Sequence, residues 1–358
     1  MTTTPYKRRN LGLDVVRTIA ILLVLVEHSH LYFIFGNQPG VWGVEIFFVL
    51  SGYLIGQIII RTFATGITYP KVREFWIRRW FRTLPMYFLV LVALDIFFDP
   101  GGGFRWRYYL FIQNFSDPFT FFPVSWSLTI EEWFYLLLPL LLLAILAGKS
   151  SKPRLTFTLV GVVVGMTVLR YVYVQQVDPK FDLGVRKFLP LRLDALMTGV
   201  LLAQVKLNYR SLFEKLARWP VFLLSLVCMA GIALFFYRNS FDRSLLDESF
   251  WGRVLIFPAM SLTFALAFPF LELSGRLNGL RDRHPLRYVI TQISLMTYTI
   301  YLIHYEIFSR LVFAPQWTPR WAGEVGLSLV LTFALSVVLY RFVEKPATDL
   351  RERFSRKN

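Results

Sequence analysis

The sequence predicts an all-α membrane protein, a polytopic bundle of about ten transmembrane helices with both termini in the cytoplasm. Composition is the first observation behind this prediction. Hydrophobic residues make up 55% of the 358 residues, aromatic residues 17% and charged residues only 17%, and the mean hydropathy is +0.50. An average soluble chain is about 25% charged, and a soluble core could not bury this much apolar surface. An ordinary soluble enzyme, a disordered chain and a disulfide scaffold are therefore excluded.

The second observation is the spacing of the hydrophobic segments, ten of which are long enough to cross a bilayer. They cover about residues 13–35, 41–61, 80–98, 123–147, 155–177, 187–206, 220–238, 251–271, 288–311 and 322–343. The first is interpreted as a retained span, because its apolar stretch is long and has no small-residue cleavage site. No connection is long enough for a second folded domain. We therefore expect one transmembrane domain over residues 1–346 and a basic cytoplasmic tail over residues 347–358.

The third observation is the placement of the cations, which give the chain a net charge of +16. Most Lys and Arg residues fall in the connections on the side of the N-terminus, which places that side in the cytoplasm. We expect a multi-pass protein of the plasma (inner) membrane that contacts the lipid bilayer and does not bind nucleic acid. The single cysteine, Cys228, lies in an apolar segment and can form neither an internal disulfide nor a thiolate metal site.

The first span carries ionisable side chains, which are costly inside a membrane and usually functional. Arg17 and His28 are eleven residues apart, so they share a helix face about 16 Å apart along the axis. Asp14 lies on the same face as Arg17. One interpretation is a structural Asp14–Arg17 ion pair with a hydrogen-bonded histidine, and the other is a catalytic pair. No metal site is expected here.

The second and third spans contain candidates for ligand binding. Ser51 and Gly52 lie at mid-depth in the second span, where small residues allow close helix contact and also leave room for a ligand. Arg78, Arg79 and Arg82 precede the third span. Arginines at a membrane edge either anchor lipid headgroups or bind the phosphates of a nucleotide-like ligand.

The fourth span contains two adjacent carboxylates, Glu131 and Glu132, which are difficult to explain by packing alone. Ser127 lies one helical turn before Glu131 on the same face. Counted from the ends of their spans, His28 and the carboxylates lie at similar depth in the outer half. Further polar residues inside spans are expected to be internal pairing groups. They are Arg170, Arg192, Asp194, His304, Glu306 and Glu344.

Taken in order, several short motifs resemble those of the acyltransferase-3 family of integral membrane acyltransferases, over most of the chain. The motifs begin with Arg17 and His28 separated by ten residues, and continue with Phe47-Phe48-Val49-Leu50-Ser51-Gly52-Tyr53-Leu54, Arg79-Trp80-Phe81-Arg82 before Pro85, Ser125-Trp126-Ser127-Leu128, Glu131-Glu132-Trp133-Phe134-Tyr135, Arg192-Leu193-Asp194-Ala195-Leu196 with Gly199, Tyr301-Leu302-Ile303-His304 and Val343-Glu344-Lys345-Pro346. Thr129-Ile130 and Trp133 are modest departures from the family pattern.

The resemblance implies an enzyme that transfers an acyl group, usually acetyl, from cytosolic acyl-coenzyme A to a hydroxyl of a carbohydrate or another small acceptor, often at the outer face. It implies that His28 is the catalytic centre with Arg17 as its partner. Arg79 and Arg82 then form the donor site, to which we add Arg78 and Ser51. Acyl-CoA is expected as co-substrate. The chain shows no hydrolase-like segment, so either a separate extracytoplasmic transferase completes the reaction or this domain acts alone.

The chemistry of these residues fits such a reaction. His28 could deprotonate the acceptor hydroxyl as general base, with Glu131 or Glu132 orienting the imidazole. A covalent acyl-enzyme on Ser51 or Cys228 is left open. Ser127, Arg192, Asp194 and His304 are expected to support the site. Two other classes are left open: a transporter or flippase for a glycan or lipid-linked sugar, disfavoured by the lack of an internal repeat, and a non-catalytic scaffold, in which the buried charges would have no use.

Overall fold

The computed structural model of the chain describes residues 9–29, 38–63, 66–98, 103–115, 121–146, 151–240, 243–281 and 284–355. Within these ranges there is no β-strand, so the all-α prediction is confirmed. Ten helices in the described part of the chain have 16 residues or more. They are α1 (Leu11–His28), α2 (Pro39–Phe63), α3 (Tyr69–Phe97), α4 (Ser125–Leu146), α5 (Lys152–Val177), α6 (Leu193–Asn208), α7 (Trp219–Ser240), α8 (Phe250–Leu273), α9 (Pro285–Leu311) and α10 (Pro319–Leu339).

Several helices begin at capping residues that the sequence supplies. The side chain of Asn10 accepts a hydrogen bond from the backbone N–H of Leu13 at the start of α1. Ser249 and Thr318 cap α8 and α10 in the same way. Such caps satisfy backbone donors that have no partner within the first helical turn.

Seven of the ten helices are long and apolar enough to cross a membrane: α2, α3, α4, α5, α7, α8 and α10. The other three differ from these in charge, length or polarity. α1 contains Asp14, Arg17 and Glu27 within 18 residues, α6 has only 16 residues, and α9 is rich in Thr and Tyr. Ten spans with both termini inside therefore remain a prediction, and residues 30–35 of the predicted first span lie outside the described residues.

The predicted sixth span, residues 187–206, is divided in the structure. A 3-10 turn at Leu189–Leu191 precedes α6, which begins only at Leu193. Pro190 within this turn has no backbone N–H to donate. After the turn, the carbonyl oxygen of Leu191 accepts a hydrogen bond from the buried guanidinium of Arg170, at 2.5 Å. The break thus leaves a backbone acceptor that a charged side chain from α5 satisfies.

Helix α2 lies at the centre of the bundle. It packs most extensively against α6 and α1, while α1 also packs against α9. In its most apolar stretch 72% of the residues of α2 are buried, whereas α7 has only 11% buried there. α7 is therefore a peripheral helix with an apolar outer surface, as a lipid-facing helix has.

The contact between α2 and α6 depends on two glycines. A Cβ atom on Gly52 would overlap the carbonyl oxygen of Leu196, and one on Gly199 would overlap that of Val49. The two backbones therefore approach closely enough to touch, as small residues permit between membrane helices. Because α2 also lines the cavity described below, this contact helps to position one wall of that cavity.

We expect Gly199→Ala to lower the free energy of unfolding by about 1–3 kcal/mol, because the added methyl group must push α2 and α6 apart. The measurement is the thermal unfolding midpoint of the detergent-solubilised protein. Gly231→Ala on α7 is the matched control, since a Cβ atom there meets nothing within 4 Å. Equal midpoints for the two variants would show that the close approach contributes nothing.

Candidate active site

A cavity of about 410 Å³ lies inside the bundle between α1, α2, α3, α4 and α9. Its lining includes charged, hydroxyl and aromatic side chains, among them Arg17, Ser51, Gln57, Arg61, Arg79, Arg82, Thr83, Ser127, Glu131, Tyr135, Ser294, Thr297, Tyr298 and Tyr301. The lining residues of α2 run from Val44 to Arg61. At 1.5 Å per residue the cavity follows α2 for about 26 Å, close to the thickness of a hydrocarbon core.

Four arginines form what we call the arginine end of the cavity: Arg17, Arg61, Arg79 and Arg82. Arg17 donates to the buried carboxylate of Asp14 at 3.1 Å, and Arg82 is near enough to Arg17 to interact with it electrostatically. Among the described residues that line the cavity, Glu131 is the one carboxylate. The arginine end therefore presents a surplus of positive charge to the cavity, as a site for anionic groups does.

A hydrogen-bonded group lies in the cavity wall beside Arg79, where the arginine end borders the rest of the cavity. The hydroxyl of Tyr135 donates to Oε2 of Glu131 at 2.7 Å, so the Ser51 hydroxyl, 2.8 Å from the Tyr135 oxygen, donates to Tyr135. The guanidinium of Arg79 lies over the Tyr135 ring, 4.6 Å from its centroid. Polar groups inside an apolar bundle are costly unless they are hydrogen-bonded. The side chains of Ser51, Tyr135 and Glu131 satisfy one another in this way and remain facing the cavity.

The opposite end, which we call the tyrosine end, consists of Phe47, Ser127 and Tyr301. The hydroxyls of Ser127 and Tyr301 are 2.6 Å apart, and Phe47 packs edge-on against the Tyr301 ring. Ser127 lies two turns before Tyr135 on α4, about 12 Å along the axis. The cavity thus changes from cationic at one end to aromatic and hydroxyl-bearing at the other.

Beyond the tyrosine end lies a pair of histidines. Nδ1 of His28 is 3.3 Å from Nε2 of His304 and 2.9 Å from the carbonyl oxygen of Val24. Nδ1 of His304 is 2.8 Å from the carbonyl oxygen of Tyr301. His304 is fully buried, and Tyr305 packs edge-on against the His28 ring. His28 itself is absent from the lining, and Tyr301 is the residue that contacts both the cavity and the histidine pair.

The structure separates the two predicted carboxylates. Glu131 faces the cavity, where its partner is Tyr135. Glu132 is 9% exposed, is absent from the lining, and lies beside Thr83 and Trp80. The contacts of the His28 ring given above are with Val24, His304 and Tyr305. Neither Glu131 nor Glu132 is among them.

Arg78 is also separated from its neighbours. It forms a 3.0 Å ion pair with Glu74, one turn earlier on α3, and both side chains are about two-fifths exposed. Arg79 and Arg82 line the cavity, and Arg78 does not. Helical phase does not separate Arg78 from Arg82, since residues four apart share a face. The ion pair with Glu74 instead holds the Arg78 side chain away from the cavity.

Arg192 and Asp194 belong to a buried ionic network remote from the arginine end. Arg192 pairs with Glu45 of α2, and its guanidinium lies 3.7 Å from the Phe257 ring centroid. Asp194 pairs with Arg170 of α5 at 2.5 Å. All of these charged groups are at most 1% exposed. Removing one member would leave an uncompensated charge in a low-dielectric interior.

We expect Glu45→Leu to lower the free energy of unfolding by about 3 kcal/mol, because Arg192 would stay buried with only its 4.0 Å contact to Asp194. The double variant Glu45→Leu/Arg192→Leu is expected to recover part of that loss. Thermal unfolding in detergent measures both. Glu214→Leu removes an exposed pair with Arg210 and is the control, expected to cost less than about 1 kcal/mol. A double variant no more stable than Glu45→Leu would contradict the assignment.

A charged turn lies beside the tyrosine end, where Arg186 covers the ring of Trp126 at 4.9 Å. Burial opposes ionisation of Asp182 in this turn, yet the cations Arg186 and Lys187 lower the pKa of its carboxyl to about 2. A lowered pKa means that the ion pairs contribute stability above the ordinary value of 3.8 and lose it as the pH falls toward 2. The turn therefore keeps its charges at every physiological pH.

Sequence reasoning did not single out Arg61, Tyr135 or Tyr301 as members of the site. Tyr135 carried a usable signal, since it lies four residues after Glu131 on one helix. Arg61 carried no such signal, because the sequence placed it only among the Lys and Arg residues of the predicted cytoplasmic side. Among the described residues, no three His, Cys, Asp or Glu side chains come together as metal ligands.

Comparison with known proteins gives matches over nearly the whole chain. The acyltransferase-3 family, described as "Acyltransferase domain", matches residues 10–341. A "Putative O-acetyltransferase" of Staphylococcus aureus (strain COL) is 26% identical over 96% of this chain and 58% of its own length. The peptidoglycan O-acetyltransferase OatA of Listeria monocytogenes is 27% identical over 96% of this chain and 57% of its own.

The "Putative peptidoglycan O-acetyltransferase YrhL" of Bacillus subtilis is 28% identical over 99% of this chain and 57% of its own length. The chain therefore spans a little over half the length of these relatives. No solved structure matches the chain.

Proposed function

The chain belongs to the acyltransferase-3 family, and from that membership and its cavity we propose that it is an acyl-CoA-dependent membrane O-acyltransferase. The single observation that carries the proposal is the polarity of the cavity along α2. The four arginines line one part of it, from Arg61 near the end of α2 to Arg79 beside Tyr135, and the tyrosine end, next to the histidine pair, lies beyond them. An acyl-CoA is a molecule with the same polarity, since its phosphates are anionic and its acyl thioester is at the opposite end.

The donor is held, in this proposal, through its phosphates at the arginine end. Arg79 and Arg82 donate charge-assisted hydrogen bonds to phosphate oxygens, as guanidinium groups do in many phosphate sites. Arg61 and Arg17 add positive charge, and Ser51 lines the path of the pantetheine arm. The thioester then lies near Phe47 and Tyr301, with acetyl the expected acyl group.

The acceptor is proposed to be a hydroxyl of a carbohydrate or another small molecule at the outer membrane face. Two relatives carry names that state peptidoglycan O-acetylation, which supports a glycan as the acceptor class. We propose that the protein lies in the plasma membrane with both termini inside, so that the histidine pair is in the outer half of the bundle. A separate extracytoplasmic transferase is proposed as a partner that delivers the group to the final acceptor.

His28 is proposed as the general base. Its Nδ1 is directed at the carbonyl oxygen of Val24, which leaves Nε2 as the nitrogen with the lone pair. Nε2 takes the proton of the acceptor hydroxyl while the oxygen attacks the thioester carbon. The C–O bond forms, the C–S bond breaks, and the proton returns from His28 to the coenzyme A sulfur. Glu131, with Tyr135 and Ser51, keeps the middle of the cavity polar and neutralises part of the arginine charge.

The test uses inside-out membrane vesicles containing the protein and acetyl-CoA labelled in the acetyl group. Free coenzyme A thiol and labelled product are followed together, with a cell extract supplying acceptors. Release of thiol together with labelled product is expected, and the label identifies the acceptor. No turnover with acetyl-, propionyl- or succinyl-CoA by folded protein would overturn the proposal. Movement of a glycan without acyl-CoA consumption would then identify a transporter.

A further inference from the structure

The histidine pair has a hydrogen-bond pattern that fixes the protonation of both rings. Nδ1 of His304 lies 2.8 Å from the carbonyl oxygen of Tyr301 and 3.2 Å from that of Ile300. Carbonyl oxygens only accept, so Nδ1 of His304 carries a hydrogen, and in the neutral ring its Nε2 is an acceptor. The tautomer follows from the partners of the ring.

The same reasoning applies to His28. Its Nδ1 lies 2.9 Å from the carbonyl oxygen of Val24, so this nitrogen also carries a hydrogen. The second neighbour of that N–H is the acceptor Nε2 of His304, at 3.3 Å. Donor and acceptor therefore match across the pair, and both neutral rings are Nδ1–H tautomers.

We infer that His304 is a positioning residue for His28, with its Nε2 holding the His28 imidazole in the tautomer that a general base requires. This inference rests on the proposed function, in which His28 is that base. When His28 takes the acceptor proton at Nε2, its Nδ1–H becomes part of an imidazolium. The hydrogen bond to Nε2 of His304 is then charge-assisted and stronger.

His304 is suited to this role by its surroundings. It is fully buried on α9, and its ring is held through Nδ1 by two carbonyl oxygens of its own helix. Its Nε2 is thereby directed at α1, 276 residues away in sequence. A carboxylate usually orients a catalytic histidine, whereas here a neutral imidazole takes that place.

The first measurement is the histidine ¹⁵N spectrum of the wild-type protein, which is practicable because the chain has only four histidines. His304→Gln, His284→Gln and His30→Gln assign three signals, and the fourth is that of His28. Two Nδ1–H tautomers, those of His28 and His304, are expected at neutral pH. An Nε2–H tautomer at His304 would overturn the inference, whatever the activity of the protein.

The second measurement compares His304→Leu with His304→Gln. We expect His304→Leu to lower kcat about 10²- to 10³-fold while KM for acetyl-CoA stays within about twofold. His304→Gln, whose Oε1 can accept from Nδ1 of His28, is expected to retain kcat within about tenfold. Unchanged kcat in His304→Leu, or equal losses in both variants, would overturn the inference. Absence of turnover in the wild type would contradict the proposed function instead, and the ¹⁵N spectrum would still test the pair.

Discussion

Replacing His28 by alanine is expected to lower kcat by about 10⁴-fold, with KM for acetyl-CoA nearly unchanged. The physical reason is that the attacking hydroxyl loses the base that takes its proton, a contribution that reaches about 10⁴ in well-placed sites. The donor contacts at the arginine end, about 16 Å away along α1, are not altered. The measurement is thiol release from acetyl-CoA in the vesicle assay.

A second histidine provides the control for this experiment. His284 is exposed at the start of α9, so His284→Ala is expected to retain wild-type kcat. Added imidazole is expected to restore part of the activity of His28→Ala, because the vacated space can admit a base of the same kind. More than a tenth of wild-type kcat in His28→Ala would contradict a catalytic role.

The double replacement Arg79→Ala/Arg82→Ala is expected to raise KM for acetyl-CoA by roughly 10³-fold. A hydrogen bond to a charged group contributes about 1.5–3 kcal/mol, so the loss of two corresponds to about 4 kcal/mol, or three factors of ten. kcat should fall much less, because neither arginine lies at the histidine pair. Initial rates across a range of acetyl-CoA concentrations separate the two parameters.

Arg78→Ala is the matched control, since it removes the same charge from the same helix outside the cavity lining. We expect KM to change by less than about twofold in this variant. If Arg78→Ala raised KM as much as the double replacement does, general attraction of the anion to the basic surface would explain binding, and the cavity assignment would be wrong.

Much of the fold could be predicted because apolar length is the dominant signal in a membrane protein. The signal weakened at α1, α6 and α9, whose composition or length falls below that of an ordinary span. Of these, α1 and α9 contribute Arg17, His28, Tyr301 and His304, so in these two helices the departure from an apolar pattern coincides with the site. Polar residues are tolerated there because they face one another inside the bundle.

The site could be predicted only where its residues are close in sequence. Arg79 and Arg82 follow from helical spacing, whereas the separation of Arg78 does not, because Arg78 is four residues from both Glu74 and Arg82. The pairings of His28 with His304 and of Glu45 with Arg192 join residues 276 and 147 positions apart. No local rule connects such residues, because the contact is set by which helices the bundle brings together.

The course of the cavity along α2 bears on how a group could cross the permeability barrier. A donor anchored by its phosphates at the arginine end and reacting at the tyrosine end would extend along the length of the cavity between them. A carrier, by contrast, must alternate between shapes open to each side. A bundle of this kind could therefore work without alternating conformations. The only movement that it requires is the release of coenzyme A and the binding of a new acyl-CoA.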